Sequence, residues 1–167
     1  MGVKNHRKHG PKAVVGAVLT VSDTRNRRTD ETGKIIRQEL EKAGHKVMRQ
    51  GIVKDERKEI LSWLRAALAD PAIHAIIING GTGVARRDVT IEVVRPLLDK
   101  ELPGFGELFR MLSFKDIGGA AMMSRALAGT SQRKIIICIP GSPEAAKLAL
   151  KELILADLGH LVWEAKR

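Results

Sequence analysis

Residues 79–90 read Asn-Gly-Gly-Thr-Gly-Val-Ala-Arg-Arg-Asp-Val-Thr. The apolar run Ala75-Ile76-Ile77-Ile78 precedes them, and Ile91, Val94, Leu97 and Leu98 follow at helical spacing. A buried strand therefore ends in glycines just before a helix begins. Gly80, Gly81 and Gly83 leave the main chain free to approach a ligand. Amides at such a turn favour an anion such as phosphate, and Thr82 offers a short hydroxyl between the glycines. Asp88 supplies a carboxylate for a hard cation such as magnesium, or else only caps the helix. Arg86 and Arg87 suit phosphate charge, or point to water.

Other candidates lie after other strands. Ser22, Asp23 and Thr24 follow the first apolar run and either bond phosphate oxygens or form a local Asx or Ser/Thr turn. Ser142 with Pro143 reads as a helix N-cap with proline at the first helical position. That role is compatible with presenting free amides of the Gly141-Ser142 turn to an anion. Asp55 reads as the cap of a helix opening Glu56-Arg57-Lys58. Glu107 follows Pro103-Gly104-Phe105-Gly106, read as a turn, and is either a first-turn helix residue or a crevice carboxylate.

Several chemistries lack support. His6, His9, His45, His74 and His160 show no metal-ligand spacing, and the lone Cys138 cannot build a zinc site. No Gly-x-Ser-x-Gly elbow is present. The glycine loop matches neither Gly-x-Gly-x-x-Gly nor the Walker pattern, which argues against hydride transfer and P-loop chemistry.

The elements that must position these residues follow from periodicity. Residues 13–21, 46–53, 74–79 and 134–139 read as strands, the first, third and fourth as nearly continuous apolar runs. Residues 32–43 carry Ile35, Ile36, Leu40 and Ala43 at helical spacing, with Gly44 as a stop. Residues 55–69 carry Ile60, Leu61, Leu64, Ala67 and Leu68 on one face. Residues 107–114 read as a short helix, 118–123 as a helix or an irregular segment, and 125–128 as a short strand. Residues 145–163 are apolar around more than one face, as in a helix buried on several sides or at a subunit contact. Alternating strands and helices predict an α/β fold with a mostly parallel sheet, helices on both faces, and a ligand crevice beyond the carboxyl ends of the strands.

The chain has 167 residues and a formal charge of +10, from 29 Lys plus Arg against 19 Asp plus Glu. One domain over residues 13–167 is expected, after a basic flexible tail over residues 1–12. The single cysteine excludes an intramolecular disulfide and fits a reducing compartment. No stretch is long and apolar enough to span a bilayer, so a cytoplasmic location without membrane association is expected. The charge attracts nucleotides, phosphorylated metabolites or nucleic acid. With no Tyr, 3 Phe and 2 Trp, a base-stacking surface is poorly supplied, so nucleic acid is not the expected partner.

Taken together, Thr20-Val21-Ser22-Asp23, Gly80-Gly81-Thr82-Gly83 with Arg87-Asp88-Val89-Thr90, Pro103-Gly104-Phe105-Gly106-Glu107, Leu112-Ser113, Ser124-Arg125 and Pro140-Gly141-Ser142-Pro143 resemble the MoaB/MogA family of molybdenum cofactor biosynthesis proteins. The resemblance runs from about residue 14 to the end and leans toward the MoaB branch. It implies a three-layer molybdopterin-binding α/β fold and magnesium-dependent transfer of AMP from ATP to molybdopterin. By that resemblance Asp55 and Asp88 are the catalytic, magnesium-holding aspartates. Gly80, Gly81, Thr82 and Gly83 then form the nucleotide cradle. Ser22, Asp23, Glu107, Ser113, Ser124, Arg125, Gly141 and Ser142 are candidates for substrate contact. The family also implies a homo-oligomer, trimer or hexamer. The competing reading within it is a molybdopterin-binding or carrier protein without transferase activity.

Overall fold

The computed structural model describes residues 10–167. Its strands are β1 (Val15–Val21), β2 (Lys46–Val53), β3 (Ala75–Asn79), β4 (Lys100–Glu101), β5 (Leu127–Ser131) and β6 (Lys134–Ile139). Its α-helices are α1 (Glu31–Lys42), α2 (Arg57–Ala69), α3 (Thr90–Val94), α4 (Pro103–Ile117), α5 (Pro143–Ala149) and α6 (Leu158–Lys166). The six strands form one sheet in the order β2-β1-β3-β6-β5-β4. The β2-β1-β3-β6 part is parallel, while β5 and β4 run antiparallel to their neighbours. The expected mostly parallel α/β fold is therefore present.

The pleat divides the apolar runs between two cores. Ile76 and Ile78 of β3 and Ile136 and Cys138 of β6 pack with Ile60 and Leu64 of α2 and with Ile91 and Val94 of α3. The alternate residues Ala75, Ile77, Ile135, Ile137 and Ile139 pack with Ile36 and Leu40 of α1, Phe109 of α4, Ala146 of α5 and Val162 of α6. A strand buried on both faces has no polar side to display, which is why these runs read as continuous. Cys138 is fully buried, and that burial pushes its thiol up, away from reactivity. Strand β2 lies at the sheet edge and alternates between exposed and half-buried positions.

The structure differs from the sequence expectations in four places. The stretch Pro103–Glu107 is no turn: it opens the 15-residue helix α4, with Pro103 in its first turn. Proline is tolerated there because its missing N–H belongs to a position without an intrahelical partner. Burial of Phe109 and Ser113 outweighs the helix penalty of Gly104 and Gly106. The short strand expected at 125–128 lies at Leu127–Ser131 and closes a hairpin onto β6. Residues 145–163 do not form one helix. Helix α5 passes into a π turn over Leu150–Ile154, and α6 starts afresh at Leu158.

The fourth difference is the tail boundary. Residues 1–9 of the expected basic tail lie outside the described residues. Gly10 and Pro11, however, approach Gly159 of α6, Gly10 half-buried and Pro11 exposed.

Candidate functional site

The carboxyl ends of β1, β2, β3 and β6 deliver four loops to one edge of the sheet. Backbone bonds hold them together: Ser22 N–H donates to the Val53 carbonyl at 2.9 Å and Gly80 N–H to the Ile139 carbonyl at 3.1 Å. Thr32 Oγ1 donates to the Gly141 carbonyl at 2.8 Å. Beneath them, buried Asn79 donates to the Leu19 carbonyl at 3.1 Å and to Thr20 Oγ1 at 2.9 Å. Thr20 Oγ1 in turn donates to Asp30 Oδ2 at 2.8 Å, while Asp30 Oδ1 caps α1 by accepting from Gly33 N–H. This buried polar chain fixes the ends of β1 and β3 relative to α1.

The glycine loop turns sharply where β3 ends. Gly80 has φ +92° and Gly81 φ +63°, the left-handed region. A Cβ on Gly81 would lie 2.3 Å from Thr90 Oγ1 and 2.6 Å from Asp55 Oδ1, so main chain and carboxylate are in close approach. Thr90 closes the loop by donating N–H to the Gly81 carbonyl at 3.0 Å and Oγ1 to the Gly80 carbonyl at 2.8 Å.

A cleft of about 420 Å³ opens beside this loop. Gly80, Gly81, Thr82, Gly83, Asp88, Ser113, Ser124, Gly141 and Ser142 line it, gathered from β3, α4, β6 and the segment before β5. Ser124 Oγ is buried without a hydrogen-bond partner. Ser142 fulfils its N-cap expectation, accepting from Ala145 N–H at 3.2 Å, while also walling the cleft. The cleft also contains residues not anticipated from sequence: Phe109, Asp116, Ile117, Glu144 and Leu148. Had residues 103–117 been read as one helix, the spacing of Phe109, Ser113 and Asp116 would have put them on a common face.

The two aspartates come from separate loops. Asp88 is not the cap of α3, which begins at Thr90 with Val89 at the cap position. Its Oδ2 instead accepts Ala85 N–H at 2.8 Å, fixing the tip of the loop. Asp55 is not the cap of α2 either; Glu56 holds that position without a side-chain capping bond. Asp55 Oδ1 is buried and has no hydrogen-bond partner. Burial, and then the charges of Asp23 and Asp88, push the Asp55 carboxyl above its ordinary value.

Asp23 and Arg125, expected at the substrate, do not line the cleft and bond protein groups. Asp23 takes the Arg87 guanidinium, with Nη2 2.8 Å from Oδ1 and Nε 3.1 Å from Oδ2. Asp23 Oδ1 also accepts Asp55 N–H at 3.2 Å. The Arg87 hydrogen bond holds the Asp23 carboxyl below its ordinary value. Arg87 extends to Glu56 as well, with Nη1 2.8 Å from Oε1. Arg125 donates from Nε to the Thr82 and Gly83 carbonyls at 3.2 and 2.8 Å, and from Nη2 to the Asp88 carbonyl at 3.0 Å. Its remaining donors pair with Glu92.

Ser22 and Glu107 also lie outside the cleft. Ser22 Oγ accepts Thr24 and Arg25 N–H, both at 3.2 Å, which is the local turn foreseen as its alternative. Its segment walls a separate groove with Arg25, Arg27 and Lys34. Glu107 is an exposed residue within α4.

The site can hold an anion against backbone amides and a cation against carboxylates. No group of three or more metal-ligating side chains occurs among the described residues. Magnesium needs only one or two protein carboxylates, completing its shell with water and substrate phosphates. The orphaned Asp55 oxygen beside the glycine loop is the donor such an ion would use.

The chain is similar to proteins of known family. The family model for a "Probable molybdopterin binding domain" matches residues 17–160. The chain is 52% identical to molybdenum cofactor biosynthesis protein B of Halalkalibacterium halodurans, over 98% of this chain and 97% of that protein. A crystal structure of a molybdenum cofactor biosynthesis protein B superposes with a TM-score of 0.90 at 46% identity, covering 94% and 98% of the two chains. The tungsten cofactor synthesizing protein MoaB from Pyrococcus furiosus gives a TM-score of 0.83 at 36% identity, covering 94% and 99%.

Proposed function

Since the chain belongs to the molybdopterin-binding domain family of molybdenum cofactor biosynthesis proteins, in its MoaB/MogA group, we propose that it transfers AMP from ATP to molybdopterin. A terminal phosphate oxygen of molybdopterin attacks the α-phosphorus of ATP. The bond from that phosphorus to the bridging oxygen breaks, its electron pair leaves with pyrophosphate, and adenylylated molybdopterin results.

The observation that carries this reading is the approach of Asp55 to Gly81 and of Asp88 to Gly83 on the glycine loop, with one buried Asp55 oxygen lacking any partner. An attacking phosphate needs no serine or cysteine nucleophile. Catalysis then rests on position and charge, as in phosphoryl transfer generally. Gly81, Thr82 and Gly83 cradle phosphate through their backbone, while the Gly80 N–H is taken by the Ile139 carbonyl and Thr90 fixes the turn. Arg125 holds both ends of the loop, and Asp23 fixes the main chain of Asp55. Phe109, Ile117 and Leu148 give the cleft an apolar wall suited to a flat ring system. Asp55 and Asp88 would hold magnesium, whose charge would offset that of the phosphates.

A homo-oligomer is part of the proposal. Met111, Phe114, Ile117 and Met122, on α4 and the turn after it, stand 54%, 61%, 57% and 80% exposed, and Ile117 also lines the cleft. Clustered apolar surface of this kind marks contact sites. No helix among the described residues is long and apolar enough to cross a membrane. A cytoplasmic location, where ATP is available and Cys138 stays reduced, completes the reading.

The decisive experiment adds molybdopterin to the protein with ATP and magnesium and measures pyrophosphate release. Release matched by adenylylated molybdopterin is expected. Molybdopterin binding with no release would instead make the protein a carrier.

A further inference from the structure

Arg87 and Arg125, beside the glycine loop, are both bonded to protein groups. Arg87 bridges Asp23 and Glu56, and Arg125 is held by three loop carbonyls and Glu92. Neither is available to a nucleotide's phosphates. Three other cations stand close by. Arg57, Lys58 and Arg86 line an open groove of about 620 Å³ together with Asp55. All three are exposed, and none makes an ion pair among the described residues. The carboxylates in the same groove are partly engaged: Glu56 with Arg87, and Glu59 with the Lys54 N–H.

This groove and the 420 Å³ cleft are separate spaces that meet at one point. Asp88 lines the cleft and Asp55 lines the groove. Gly81, a cleft residue, would bring a Cβ within 2.6 Å of Asp55 Oδ1. Displacement at phosphorus places the attacking and leaving oxygens roughly in line, on opposite sides. An acceptor phosphate entering from the cleft therefore expels its leaving group away from the cleft, past Asp55. The groove on that side carries three exposed cations suited to a polyanion.

We propose that this groove is a polyphosphate subsite. Arg57, Lys58 and Arg86 take the β- and γ-phosphates of the nucleoside triphosphate and hold them as they depart as pyrophosphate. The inference rests on the adenylyl-transfer reading and adds to it where the leaving group is received. It also distinguishes Arg86 from Arg87, adjacent in sequence: both line the groove, but Arg87 is already bonded to Asp23 and Glu56.

The test uses magnesium pyrophosphate as the probe, titrated calorimetrically into the whole protein. Wild type should bind it, Arg86→Ala should bind about tenfold more weakly, and Arg86→Ala with Lys58→Ala should bind more weakly still. AMP affinity should stay unchanged, and exposed positions should leave the melting temperature unchanged. No binding of magnesium pyrophosphate by wild type, equal binding by the variants, or an equal loss of AMP binding would each overturn the subsite. Pyrophosphate release by wild type is measured separately. Transfer of AMP with variants that bind pyrophosphate normally sinks the subsite and leaves the enzyme reading standing. Lost pyrophosphate binding in a protein that transfers no AMP does the reverse.

Discussion

Arg125 Nε donates to the Gly83 carbonyl at 2.8 Å, across 42 residues of chain. The same guanidinium reaches the Thr82 and Asp88 carbonyls, so a single side chain closes the loop that carries Asp88. Lysine offers no planar fork and cannot span these acceptors. Arg125→Lys should therefore speed hydrogen exchange at residues 82–88 and lower stability by about 1–3 kcal/mol, the cost of freed buried acceptors. AMP transfer should fall about tenfold or more, since misplacement of the site is costly. Unchanged exchange in this loop would show that Arg125 does not hold it.

Asp88→Asn keeps the shape and the oxygen that accepts Ala85 N–H, but removes the charge. Molybdopterin binding should survive while magnesium-dependent AMP transfer drops at least a hundredfold, a typical cost of losing a charge-stabilising group. AMP transfer at the wild-type rate would refute the assigned role.

Asp55→Asn should make the protein more stable at neutral pH. Burial, Asp23 and Asp88 raise the folded-state carboxyl above its unfolded value. The charged form is thus disfavoured by folding, a penalty present at neutral pH and relieved as pH falls through the raised folded value. The variant's melting temperature should exceed that of wild type at pH 7, and the gap should shrink on acidification. Added magnesium should narrow it too, by stabilising wild type alone. A gap that is absent, or that widens at low pH, contradicts this account.

Gly81→Ala tests the close approach at the loop. Its φ of +63° disfavours any Cβ, and the added carbon would meet Thr90 Oγ1 and Asp55 Oδ1. A stability loss of about 1–3 kcal/mol is expected, together with weaker magnesium ATP binding. Denaturant unfolding and calorimetry measure the two effects.

Light scattering should give a mass that is a multiple of the chain's 18.3 kDa. Phe114→Glu, in the exposed apolar surface of α4, should shift that mass downward. A monomeric wild type would remove the proposed oligomer.

The residue pattern by itself determined the parallel half of the fold. Strands β1, β2, β3 and β6 and helices α1 and α2 announce themselves through short-range signals: β-branched runs, helical spacing and a glycine stop at Gly44. The loop glycines are legible for the same reason, because what they permit is local. Other features depend on contacts between distant segments. The β5–β6 hairpin turns through Gln132 and Arg133 at φ 48° and 63°. Neither residue type signals that turn, so tertiary pairing imposes it. Helix α4 likewise forms against its local Pro-Gly signals because packing of Phe109 and Ser113 rewards it.

The tertiary structure alone decided what the charged residues do. Arg87 stands 64 residues from Asp23, and Asp55 stands 32 residues from it, so no spacing rule links them. Sequence nominated Arg87 for phosphate, yet the fold brings two carboxylates to it first. A charge can be counted in a sequence, but its partner is chosen by distance, and distance exists only once the chain has folded.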